Sequence, residues 1–133
     1  MKTIAQQLNI KEFPFKINDS NGNQIYYENS FGIWEKKEFN SNNSLIYYES
    51  SFGYWEKKEF DSNSNIIYYE NSKGSWYKKE YDSNNRVIYY ENSDGVIVDN
   101  KPKVVELTLD EIASKLGIEV SQLKRLKIVG ELN

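Results

Sequence analysis

Asp19-Ser20-Asn21-Gly22-Asn23 has the D-x-N-x-N spacing that opens a calcium loop, and Asp61-Ser62-Asn63-Ser64-Asn65 repeats it. Oxygen donors at alternate positions can wrap a hard cation, but such a loop is closed by a bidentate Glu at its twelfth position. That place falls on Ser30 and Ser72. Asp and Asn side chains that bond back to their own backbone make turns from the same letters, and the turn is the better reading. Glu28 and Glu35, with their copies Glu49 and Glu56, are placed to face each other across a hairpin. Paired carboxylates serve glycoside hydrolysis when one of them is held protonated in a cleft. Here each copy is flanked by lysine and the set recurs along the chain, which fits solvated cross-strand charges better than one active centre.

A third pattern is cationic and aromatic. Lys36-Lys37, Lys57-Lys58 and Lys78-Lys79 alternate with Trp34, Trp55, Trp76 and the tyrosine pairs. Such a pattern can stack and neutralise single-stranded nucleic acid. It can equally be lysine stems covering rings within a sheet. Glu35, Glu38 and their copies cancel the local positive charge, so a sheet-covering role ranks first. A protein partner ranks above nucleic acid among the binding roles. On the binding reading the candidate contacts are Trp34, Trp55 and Trp76 with Lys37, Lys58 and Lys79. A fourth pattern, LDEIASKLGIEVSQLKRL over 109–126, fits a helix-turn-helix. Ser121 is a candidate cap for its second helix, with Gln122, Lys124 and Arg125 as candidate nucleic-acid contacts. Glu119 near the reading end and the lack of a third helix weigh against DNA reading. The segment could instead end in a strand, Leu126–Val129.

The 133 residues contain neither Cys nor His. That removes disulfides, thiolate and imidazole ligands, and catalytic dyads or triads that need either residue. No matched acid, base or nucleophile stands out, so neither an enzyme nor a bound cofactor or metal is expected. A net charge of −3 makes the whole molecule no attractor of nucleic acid. No apolar run reaches the length of a membrane span, and the first ten residues lack a secretory core. A cytoplasmic protein is therefore expected, with its oligomeric state left open.

These residues are positioned by a tandem repeat. Tyr26, Tyr47, Tyr68 and Tyr89 are each 21 residues apart, as are Gly32, Gly53, Gly74 and Gly95. Each unit reads as a strand I-Y-Y-E, a turn N-S-x-G, a strand W-E-K-K-E-F and a return turn D-S-N-x-N. Loops of two or three residues both fit the turns. The expected fold is mainly β: an antiparallel meander of seven or eight strands over residues 17–98, with short helical caps at both ends, 1–16 and 99–133. Neighbouring rings and charges must divide between the two faces, so neither face is purely apolar, and a single-layered sheet is expected. TIAQQLNI and EIASKLGI share I-A-x-x-L-x-I. In the second, Thr108 is the expected N-cap, Asp110 and Glu111 suit the first turn, and Gly117 is the expected C-cap.

The spacing of Tyr, Gly and Trp resembles YD/RHS repeats, with their Y-D-x-x-G-N turns, and MORN-type repeats, with G-x-W followed by Y-Y-E-N-G. Both imply successive β-hairpins, here over roughly residues 17–98. The chain departs from both where Asn or Ser replaces Gly in the D-S-N-x-N turn. The short I-A-Q-Q-L leader, the Y-Y-E-N-S repeats and the V-E-L-T-L-D-E-I-A-x-K-L-G-I tail together resemble small proteins of tailed phages. That resemblance implies a non-catalytic accessory protein in the host cytoplasm that binds and inhibits a host protein, such as a defence component, in the manner of an anti-CRISPR. The alternatives are a nucleic-acid-binding regulator that uses the C-terminal segment, and a structural virion or assembly protein.

Overall fold

A computed structural model describes residues 1–125. Met1–Lys101 forms one unit, and the described residues after Lys101 belong to a second. In the first unit a one-turn helix, α1 (Ile4–Gln7), precedes nine strands: β1 (Phe15–Asn18), β2 (Gln24–Glu28), β3 (Trp34–Phe39), β4 (Leu45–Ser50), β5 (Trp55–Phe60), β6 (Ile66–Asn71), β7 (Trp76–Tyr81), β8 (Val87–Asn92) and β9 (Ile97–Asp99). They form one antiparallel sheet in chain order. The mainly β meander of tandem hairpins is thus present, with nine strands where seven or eight were expected. The flanking half-repeats account for the difference. β9 still pairs with β8 although Ile97 stands where the other copies have Trp.

Both rims of the sheet use a three-residue loop. Asn29 N–H donates to Ile33 O and Gly32 N–H to Asn29 O, and the same pair of bonds recurs at Asp61–Asn65. The third loop residue is left-handed, as such a loop requires: Gly53 has φ +83° on one rim, and Ser64 has φ +64° on the other. The turn is braced by its first side chain. Asp61 Oδ1 accepts from Asn63 N–H and Asn65 N–H, both at 2.9 Å. The calcium-like spacing is therefore turn chemistry, and among the described residues no three acidic side chains converge to hold a metal ion.

Register is set by these loops and then reset once per repeat. Glu38 faces Tyr47, but Phe39 faces Leu45, which leaves Ile46 as the extra residue of a bulge. The same slip follows Glu59 and Glu80. Within this unit α1 alone packs over the strands, at the first hairpin. In this unit only Ala5, Tyr26, Glu28 and Ser50 are buried. The middle of the sheet is held instead by its backbone ladder and by side-chain pairs, each worth about 0.2–1 kcal/mol.

α1 is too short to persist alone. Thr3 and Gln6 close it as a capping box, with Gln6 N–H donating to Thr3 Oγ1 at 3.2 Å and Thr3 N–H to Gln6 Oε1 at 3.0 Å. Its Ala5 N–H donates to Glu28 Oε2 at 3.1 Å, which docks the helix on the first hairpin.

In the second unit α2 (Leu109–Leu116) starts at Thr108, whose Oγ1 accepts from Glu111 N–H at 3.1 Å. It ends at Gly117 in the left-handed conformation, as its sequence predicts. α3 (Val120–Leu123) begins earlier than expected: Glu119 is its cap, and Ser121 lies inside the helix. The chain turns within Gly117 and Ile118, so helix resumes before Ser121 is reached. The candidate strand Leu126–Val129 lies outside the described residues.

Candidate functional site

Alternation along the strands sorts the candidate residues onto two surfaces. Glu28 lies opposite Trp34, and Tyr26 opposite Lys36. Continuing across the sheet gives rows such as Glu38, Tyr47, Lys57, Glu70, Trp76. This is the tryptophan face. The other side has rows such as Lys58, Tyr69, Tyr77, Asn92 and is the tyrosine–lysine face.

The three tryptophans occupy equivalent places. Each begins its strand half-buried, and its backbone N–H donates at 3.2 Å to the hydroxyl of the serine 17 residues on, Ser51, Ser72 or Ser93. They do not share a surface with Lys37, Lys58 and Lys79. A separation of three residues changes side on a pleated strand, so these lysines lie on the opposite face. The lysines beside the tryptophans are Lys36, Lys57 and Lys78, two residues on, and Lys78 Nζ lies 5.5 Å from the centre of the Trp76 ring. Parity alone carried this signal, and grouping each Trp with its nearest second lysine overlooked it.

The carboxylate pair is separated in the same way. Glu35 faces Tyr27 and Ser50, while Glu28 faces Trp34, so the two acids point to opposite sides of the sheet. Each instead holds a phenol. Tyr26, Tyr47, Tyr68 and Tyr89 donate to the glutamate two residues on, at 3.0–3.3 Å. On the opposite face Tyr48 donates to Glu35 and Tyr69 to Glu56, both at 3.3 Å. Ionising such a phenol would set two anions side by side. Burial first, and then the Glu28 carboxylate, push Tyr26 up to about 12. Tyr48 is raised by burial and then by Glu35. These carboxylates are therefore acceptors in phenol pairs.

The tyrosine–lysine face changes character along the chain. Lys37 Nζ lies 3.9 Å from Glu35, and Lys58 Nζ 3.5 Å from Glu56. In the third copy Tyr77 replaces that glutamate. Its ring stacks on Tyr69 with centres 5.2 Å apart and lies 6.2 Å from Tyr90, and Lys79 Nζ sits 4.9 Å from its centre. The hairpin rim adds two side chains that the sequence reading passed over. Phe31 and Phe52, at equivalent loop positions, are 87% and 79% exposed. Two largely exposed phenylalanines in neighbouring hairpins contribute little to packing. Their placement at the second loop position, before Gly, was the available signal.

Of the C-terminal candidates, Gln122 is engaged: its Oε1 accepts from Glu119 N–H at 2.8 Å. Lys124 and Arg125 are exposed just beyond the single turn of α3. One turn offers little helix to lay in a major groove. No helix among the described residues is long and apolar enough to cross a membrane. No protein-family model and no curated protein matches the chain.

Proposed function

We propose that this chain is a non-catalytic binding protein that engages and inhibits a host protein through its repeat sheet. The observation that supports the reading is the single-layered array itself. Tyr and Trp rings repeat across both faces, and those beyond the first hairpin are half-exposed. Such rings supply large contact area at low entropic cost and dominate binding energy where they are buried by a partner. Repetition every 21 residues presents the same chemistry several times, which suits a long contact surface. Resemblance to small tailed-phage proteins makes a cytoplasmic defence component the natural target.

Affinity capture from host cells, with bound proteins identified by mass spectrometry, tests the reading. A reproducible host partner is expected, and its affinity should fall by about 2 kcal/mol or more when a ring at the contact is truncated, as in Trp55→Ala or Tyr69→Ala. Circular dichroism of these variants should stay unchanged. If truncations across both faces leave capture of every host component intact, the rings serve the fold alone.

A further inference from the structure

The two faces carry opposite charge. Every strand from β2 to β8 places one glutamate on the tryptophan face (Glu28 and Glu38 are the first two), and β9 adds Asp99. Among the strand residues and Lys101, the cations that oppose them there are Lys36, Lys57, Lys78 and Lys101. Met1 and Lys2 line a cavity on that face with Trp34 and Glu49, which still leaves the acids in excess. On the tyrosine–lysine face the balance reverses: Lys16, Lys37, Lys58 and Lys79 stand against Glu35 and Glu56. One unit of that excess comes from Tyr77. In a repeat this uniform, replacing the glutamate leaves Lys79 with a ring beneath it and no carboxylate within ion-pair distance among the described residues.

Two further observations mark the same side. Tyr54 ties the hairpin rim to this face: its ring lies 6.2 Å from Tyr48, its hydroxyl donates to Glu56, and Lys73 Nζ sits 6.0 Å from its centre. The rim that carries Phe52 is therefore continuous with the tyrosine–lysine face. The tryptophan face, by contrast, has its first hairpin already covered by α1.

Resting on the binding role proposed above, we infer that the tyrosine–lysine face with its adjoining rim is the docking surface, and that its partner is an acidic protein surface. Charge complementarity selects an acidic partner and steers its approach. The chemistry favours protein over a nucleic acid strand. The Tyr69 and Tyr77 rings stack on each other, so one face of each is already taken. Phe31 and Phe52 offer apolar anchors that a recess in a protein accepts.

The full chain, labelled with 13C at Tyr rings and Lys Cε, can be titrated with a deca-glutamate peptide, a deca-lysine peptide and a ten-nucleotide oligo-dT. Deca-glutamate should shift the signals of Lys58, Tyr69, Tyr77, Lys79 and Tyr90 and leave Tyr47, Lys57, Tyr68 and Lys78 unmoved. Its affinity should fall at least tenfold between 50 and 300 mM salt. Lys58→Gln with Lys79→Gln, which keeps much of each stem over the rings, should abolish the shifts without altering circular dichroism. Shifts on the tryptophan face, no saturable shifts, or binding of oligo-dT in place of deca-glutamate would each overturn the assignment. With a host partner in hand, the lysine pair and Phe31→Ser with Phe52→Ser should each weaken capture at least tenfold. Capture lost on Trp55→Ala but untouched by either pair would overturn this face while leaving the binding role standing.

Discussion

The first and third hairpins are spelled with nearly the same letters and have different physics. In β2 the Tyr26 hydroxyl and the Ala5 N–H both donate to Glu28, which is 1% exposed beneath α1. In β6 Tyr68 makes the same bond to Glu70, but the Glu70 side chain is 36% exposed. One hydroxyl–carboxylate motif is thus a buried junction in one place and a solvated surface pair in the other. The repeat supplies the local geometry; what lies above it decides how much that geometry stabilises.

Truncating the two carboxylates should separate these roles most widely. Glu28→Ala leaves two buried donors without an acceptor and should cost about 2–4 kcal/mol. Glu70→Ala removes a half-exposed acceptor and a long ion pair with Lys57, which should cost less than about 1 kcal/mol. Urea unfolding of both variants measures the difference. Equal losses would mean that Glu28 does not anchor α1.

The rims allow a second comparison, because identical three-residue loops use different left-handed residues. Gly53 at φ +83° adopts that conformation freely, and Gly53→Ala should destabilise by about 1–2 kcal/mol. Ser64 holds φ +64° against the preference of an L-residue, so Ser64→Gly should stabilise by about 0.5 kcal/mol after the entropy glycine adds to the unfolded chain. A loss on Ser64→Gly would show that its side chain supports the turn beyond its backbone.

Most of the fold was legible because it is local. The spacing of Gly32, Gly53, Gly74 and Gly95 marks one rim, and Thr108 with Gly117 marks both ends of α2. What could not be read depends on register or on distant contacts. The bulge after Glu38 has no letter of its own, since Ile46 looks like any strand residue. Glu28 reads the same as Glu49, and only a helix more than twenty residues away distinguishes them. The placement of Trp34 and Lys37 on opposite faces is a different case. Strand parity was visible from the start and places Lys36, not Lys37, beside the ring.

The smallest expected effect separates, by charge, the turns on the rim that carries Ser64. Asp61 is held below its ordinary value by the Asn65 N–H first, against some desolvation, and then by the Asn65 amide and the Asn63 N–H. A carboxyl depressed by folding stabilises the native state above its unfolded value near 3.8, and that contribution fades as pH falls through the folded value. Asn40 occupies the equivalent place without charge, accepting from Asn42 N–H and Ser44 N–H at 3.0 Å. Asp61→Asn should therefore narrow the gap between urea midpoints at pH 7 and pH 3, and Asn40→Asp should widen it. Asp82 adds a further distinction, because Arg86 lies 3.7 Å away and contributes to its depression after the backbone bonds do. Raising salt should shrink the Asp82 contribution and leave that of Asp61 nearly unchanged, since neutral amides are not screened. An unchanged gap in both Asp61→Asn and Asn40→Asp would show that these carboxylates keep their ordinary affinity for protons in the folded chain.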